Sequence, residues 1–220
     1  MKRTKLADRE MPDYTQGEEL FNTISHFAGA ALGVVALIWC LVLAVGPLQI
    51  ITSIVFSVMM ILLYTISGIY HGLKDSIAKR VFQVLDHCTI YLFIAATYTI
   101  VMLVAVRPEN AKMAWAVFAV EWVFAAIAIT LTAIDLDRYK YFSLACYIIL
   151  GWIGIIAVIP AVRALGAGGS ILFLAGGISY TLGSVLYMIG KKKRYGHSVF
   201  HIFILLGSLL HLFAVVFYVL

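Results

Sequence analysis

His197 and His201 stand four residues apart. On a helix that spacing puts both rings on one face, with Cβ atoms about 5–6 Å apart. Two imidazoles so placed can grip one divalent ion, each through a nitrogen at roughly 2.0–2.1 Å where the ion is zinc. Ser67 and His71 repeat the spacing, and Asp86 precedes His87. Three neutral imidazoles leave one position of a tetrahedral zinc open for water, and a carboxylate can hold that water or orient a ligand. The expected ligands of Zn2+ are therefore His71, His197 and His201. Asp86 binds or positions the water, and Ser67 supplies a hydrogen bond to a ligand or to substrate. His87, adjacent to Asp86, faces elsewhere on a helix and is expected at the membrane interface. Iron, manganese and nickel also accept histidine and carboxylate, but three histidines in a dry site favour zinc.

The elements that must position these groups cross a membrane. Hydrophobic residues make up 63% of the 220, charged residues 12%, and the mean hydropathy is +1.01, against about 25% charged in soluble domains. Seven apolar runs are legible: Phe27–Val45, Ile50–Tyr70, Cys88–Val106, Met113–Ile134, Tyr141–Val162, Ile171–Gly190 and Ser198–Leu220. Each approaches the ~20 residues that cover about 30 Å of hydrocarbon. The fold class is thus an all-α membrane protein, a seven-transmembrane helix bundle, with residues 1–20 as a cytoplasmic segment and 21–220 as one domain. The charged amino terminus lacks the short apolar core of a cleaved signal. Cys40, Cys88 and Cys146 fall on three different runs without a CxxC pair, which suggests neither a disulfide frame nor a thiolate metal site. No repeat, linker or low-complexity tract is evident.

Basic residues orient the bundle, because cytoplasmic loops carry the excess. Lys2, Arg3, Lys5, Arg9, Lys74, Lys79, Arg80, Arg138, Lys140 and the run Lys191–Arg194 fall on one side, against Arg107, Lys112 and Arg163 on the other. The amino terminus is expected inside and the carboxy terminus outside. The net charge of +5 reads as this bias and calls for no nucleic-acid partner. The Lys191–Arg194 run is a topology anchor beside anionic lipid. The same topology gathers Glu19, Asn22, His26, Ser67, His71, Asp86, His87, His197 and His201 into one inner layer. Glu19, Asn22 and His26 either cap the first helix or pack beneath the metal.

Two polar residues lie deeper. Glu121 falls about 12 Å below the outer face and His211 about 14 Å, by the helical rise. At matching depth they are expected to share a hydrogen bond or a proton, either as a buried pair bridging helices or as part of a passage. His211, rotated about 40° from His197, could line a cavity leading up from the metal. Small residues in the first run (Ala28, Gly29, Ala30, Gly33) and the sixth (Gly176, Gly177, Gly183) read as packing. Pro160 and the Gly166–Gly169 stretch are expected to end the fifth span and turn the chain.

The pattern Glu19-x-x-Asn22-x-x-x-His26, Ser67-x-x-x-His71, Asp86-His87 and His197-x-x-x-His201 resembles the hemolysin III group, the bacterial branch of the progestin and adipoQ receptor family. The resemblance implies seven helices with the amino terminus inside and a zinc ion near the cytoplasmic face. It places that ion on the histidines matching His71, His197 and His201, with the motif's aspartate at Asp86. It also implies kinship with ceramide-cleaving membrane hydrolases. The function expected is a zinc-dependent hydrolase of a lipid amide or ester, embedded in the inner cell membrane, with membrane lipid as substrate and no obligatory protein partner evident. The alternatives are a metal-stabilised sensor, regulator or receptor-like protein without turnover, and a pore-forming cytolysin.

Overall fold

The structure, a computed structural model, describes residues 4–9, 11–190 and 194–220. Lys2, Arg3 and Lys191–Lys193, on which part of the charge asymmetry rests, lie outside the described residues. The described residues form helices and no strand. After a 3-10 turn at Leu6–Asp8, helix α1 runs Gln16–Leu43 and α2 Gly46–Gly72. Helix α3 runs Ile77–Ile100 and continues through a π-helical stretch, Val101–Val106, into the single turn α4, Arg107–Glu109. Then come α5 (Ala111–Ile134), α6 (Leu136–Trp152), a 3-10 stretch (Ile153–Ala157), α7 (Val158–Gly190) and α8 (Gly196–Ala214), which ends in a π-helical stretch, Val215–Val219.

Local chemistry explains most boundaries. Helix α1 starts well before Phe27, because Thr15 and Glu18 form a reciprocal capping box that satisfies two orphan N–H groups. The Glu19–Asn22–His26 series is therefore not the cap. Gly46, at φ +80°, and Pro47 turn the chain into α2. Ser76, Asn110 and Asp135 each accept a hydrogen bond from a first-turn backbone N–H of α3, α5 and α6. Asp135 also accepts from the Thr4 N–H at 2.9 Å. This contact, with the Arg138 N–H and the nearby Arg9 charge, holds the Asp135 carboxyl below its ordinary range.

Among the described residues, six helical segments are long and apolar enough to cross a membrane: Gln16–Leu43, Gly46–Gly72, Ile77–Glu109, Ala111–Ile134, Leu136–Met188 and Gly196–Val219. The protein is a multi-pass membrane protein. The fifth and sixth apolar runs of the sequence appear here as the one segment of 53 residues, which at about 1.5 Å per residue far exceeds a bilayer. The break inside it is one residue, Gly166, at φ +62° and ψ −175°, a conformation glycine adopts without a Cβ penalty. This corrects the expected Gly166–Gly169 loop, since residues 167–169 are already helical. Pro160 falls in the first turn of α7, where its missing N–H leaves no intrahelical bond unmade.

Helix α1 packs along α2, and α7 along α8. Both pairs depend on glycine at close approach: a β-carbon at Gly29 would come 2.5 Å from the Tyr64 ring, and one at Gly183 would come 2.9 Å from Phe203. Helix α3 lies between α2 and α5. The Tyr98 hydroxyl donates to the Gly151 carbonyl at 2.8 Å and accepts from the Gly154 N–H at 3.1 Å, tying α3 to the end of α6. The Trp152 indole N–H donates to Thr181 at 2.9 Å and ties α6 to α7. These ties hold α3, α6 and α7 around a cavity of about 1140 Å³, walled by Ile90, Phe93, Met102 and Phe173 among others.

Candidate metal centre

His71 ends α2, while His197 and His201 occupy the first two turns of α8. Packing brings their rings to one point. His197 Nε2 lies 3.2 Å from His71 Nε2 and 2.9 Å from His201 Nε2. One nitrogen from each of the three lies within 4.8 Å of the others, and no carboxylate among the described residues joins that set. His71 and His201 are buried and His197 is half-buried.

The donor set fits a divalent metal. His71 Nδ1 lies 2.6 Å from Glu19 Oε2; because a carboxylate only accepts, Nδ1 donates and leaves the Nε2 lone pair facing the cluster. Glu19 Oε1 in turn accepts from Lys79 Nζ at 2.6 Å, and Lys79 also donates to the Leu73 carbonyl at 2.8 Å. The observed nitrogen separations are close to the roughly 3.3 Å edge of a tetrahedron with 2.0–2.1 Å bonds. Three converging imidazole nitrogens with no carboxylate among them also match the ligand preference of zinc.

The other expected site residues surround this point in different ways. Ser67, Asp86, His87 and His26 line the same cavity as His197 and His201. His26 stacks on His201, with centroids 3.6 Å apart and planes at 14°, and neither of its ring nitrogens has a hydrogen-bond partner. Asn22 Oδ1 accepts from the Ser198 hydroxyl at 2.8 Å, linking α1 to α8 one residue from His197. His87 Nδ1 donates to the Gln83 carbonyl at 2.8 Å. It lies 3.7 Å from Asp86, too far for a hydrogen bond.

The deep pair is not a pair. His211 Nε2 donates to the Phe173 carbonyl at 3.1 Å, while both Glu121 oxygens are buried without a partner. The two residues lie on helices that pack on different neighbours. Helix α5 packs chiefly on α3 and α6, whereas α8 packs on α7 and α1. His211 does line the cavity.

Some contacts had no signal in the sequence. Tyr14, outside every apolar run, stacks on His197 with centroids 5.0 Å apart and planes at 22°, and tilts against His71 at 5.8 Å. Burial pushes its phenol well above the ordinary tyrosine range, with Tyr70, Tyr187, Glu19 and Asp86 adding to the effect. Lys79 and Ser198 read as loop charge and spacer until the fold sets them against Glu19 and Asn22.

The haemolysin-III-related family profile matches residues 14–212, which include every residue of this centre. The chain belongs to that family. It is 35% identical over 206 residues to "Hemolysin-3" of Bacillus cereus, covering 92% of each chain. To the "Hemolysin-3 homolog" of Bacillus subtilis (strain 168) it is 34% identical over 209 residues, 93% of this chain and 96% of that one. The human "Monocyte to macrophage differentiation factor" is 25% identical over 171 residues, 75% of this chain and 69% of its own. This more distant similarity agrees with placing the haemolysin III group within the progestin and adipoQ receptor family.

Proposed function

We propose that this haemolysin III family member is a zinc-dependent intramembrane hydrolase of a lipid amide or ester. One observation carries the reading: three imidazole nitrogens converge where two of the rings, His197 and His201, line a large, mostly apolar cavity that Asp86 also lines. A purely structural metal needs no such cavity, and a lipid cavity alone needs no convergent nitrogens. His71, His197 and His201 hold the ion, which supplies Lewis acidity and lowers the pKa of water when bound.

The chain's own residues do the rest. Asp86 orients the attacking water and takes its proton, then returns it to the leaving group. Ser67 donates a hydrogen bond to the substrate's polar linkage. Glu19, fixed by Lys79, holds the His71 tautomer, and Ile90, Phe93 and Met102 take up the acyl chain and exclude water. We place the amino terminus in the cytoplasm and the carboxy terminus outside. We divide the Leu136–Met188 segment at Gly166 into two crossings, so that seven helices span the inner cell membrane.

Purified protein is assayed for zinc content and for hydrolysis of a panel of ceramide, N-acyl and ester lipids in mixed micelles. Stoichiometric zinc with turnover that vanishes in His71→Ala and Asp86→Asn supports the hydrolase. Zinc without turnover of any lipid moves the protein to the second reading, a metal-stabilised regulator, which the Lys79–Glu19–His71 chain linking three helices favours. Vesicle leakage that persists after the metal is removed would support a cytolysin instead.

A further inference from the structure

The three imidazoles are held unequally. His71 has the hydrogen bond to Glu19 that fixes ring and tautomer. His201 is 1% exposed and lies flat against His26 of α1. His197 Nδ1, like that of His201, has no hydrogen-bond partner, but His197 is half-buried and sits in the first turn of α8, whose N-cap Tyr195 takes φ +63° and makes no side-chain capping bond. Metal-ligating histidines are normally fixed through the second nitrogen. At His197 ring contacts must do this instead. Tyr187 and Phe200 meet it at 63° and 37°, and among the described residues only Tyr14 lies nearly parallel to it, at 22°.

One carboxylate, Glu18, holds the backbone next to Tyr14 and the backbone two residues before His197. Glu18 Oε2 accepts from the Thr15 N–H at 2.8 Å and from the Thr15 hydroxyl at 2.7 Å, next to Tyr14 in the chain. Glu18 Oε1 accepts from the Tyr195 N–H at 2.5 Å, two residues before His197. One buried side chain thus sets the segment before α1 against the start of α8.

We propose that Tyr14 is the positioning residue for His197, so that the segment preceding α1 governs how long the metal stays bound. Its aromatic face, not its hydroxyl, performs this role. The proposal rests on the metal-centre reading above, and it makes His197 the exchangeable ligand of the three. With the ring of Tyr14 removed, His197 would be free to rotate away from His71 and His201, leaving those two to hold the ion.

The test is zinc release. Zinc-loaded protein in detergent micelles is mixed with excess chelator, and loss is followed with a zinc-sensitive dye. Tyr14→Leu is expected to release zinc about 10–100-fold faster, the usual cost of losing a partner that orients a ligand, and Tyr14→Phe at the wild-type rate. In cobalt-loaded samples the ligand-field absorption should change for Tyr14→Leu and stay unchanged for Tyr14→Phe. Wild-type release from Tyr14→Leu, or equally fast release from both variants, overturns the proposal. Should Tyr14→Leu fail to fold, Glu18→Gln decides in its place: faster release supports the clamp and wild-type release overturns it. Wild-type protein that takes up no stoichiometric zinc removes the metal centre itself, a different result from zinc held equally by wild type and variants.

Discussion

Two groups of buried polar residues in this bundle are built differently. At the histidine end, side chains from α1, α2, α3 and α8 share partners: Glu19 bridges His71 and Lys79, Asn22 meets Ser198, and His26 lies on His201. In mid-bundle, Glu121 is fully buried with both oxygens unpartnered, and His211 has one backbone carbonyl. An unpaired polar group in an apolar interior costs on the order of 1–3 kcal/mol. The connected region carries unpartnered atoms too, on His26, at His197 Nδ1 and at His201 Nδ1, but its imidazoles converge on a point. The mid-bundle residues converge on nothing, so burial alone is a poor guide to a site.

This contrast can be broken or sharpened by experiment. The largest effect is expected from His71→Ala or His201→Ala, which should lower zinc affinity by more than the roughly 10–100-fold typical of outer partners; retained stoichiometric zinc, measured by elemental analysis, would end the distinction. Asp86→Asn should keep the metal and lose about 10²–10⁴-fold in lipid turnover, the range of a lost general base. Glu19→Gln should cost about 10–100-fold in zinc affinity by competition titration, since it weakens the hold on His71 and leaves Lys79 without its anion.

Glu121→Leu should leave zinc content and turnover unchanged and stabilise the protein by about 1–3 kcal/mol, the cost of the unpaired group it removes. A fall in turnover would instead join mid-bundle to the centre. The smallest effect is at Asp135, which anchors Thr4 on the histidine side. Its folded pKa is depressed, so its contribution is present above the ordinary carboxyl pKa and lost as pH falls through the folded value. Asp135→Asn should therefore lower Tm at neutral pH, and the difference from wild type should shrink in acid.

Much of the centre was legible before any fold was known. His197 and His201 share a face because of their spacing, and the alternation of basic loops placed His71 and Asp86 at the same end. The pairing of Glu121 with His211 failed because equal depth says nothing about which helices are neighbours. Gly166 was legible as a break but not as a single-residue one, since a φ of +62° and a four-residue loop suit the same glycine-rich stretch. Tyr14 carried no signal: a tyrosine before a helix cap has no periodicity to mark it.

By itself the amino-acid sequence determined that the chain crosses a membrane several times and that its candidate metal-ligating histidines fall at one end of the bundle. Both follow from one-dimensional quantities, the length of apolar runs and the spacing of polar residues along a helix. Only the tertiary structure decided which helices touch, and hence that His71 meets His197, that Glu19 bonds His71 and Tyr14 stacks on His197, and that the Glu121 oxygens have no hydrogen-bond partner. Azimuth and neighbour choice are set by side-chain packing between helices, such as the close approaches at Gly29 and Gly183, and a linear pattern does not encode them.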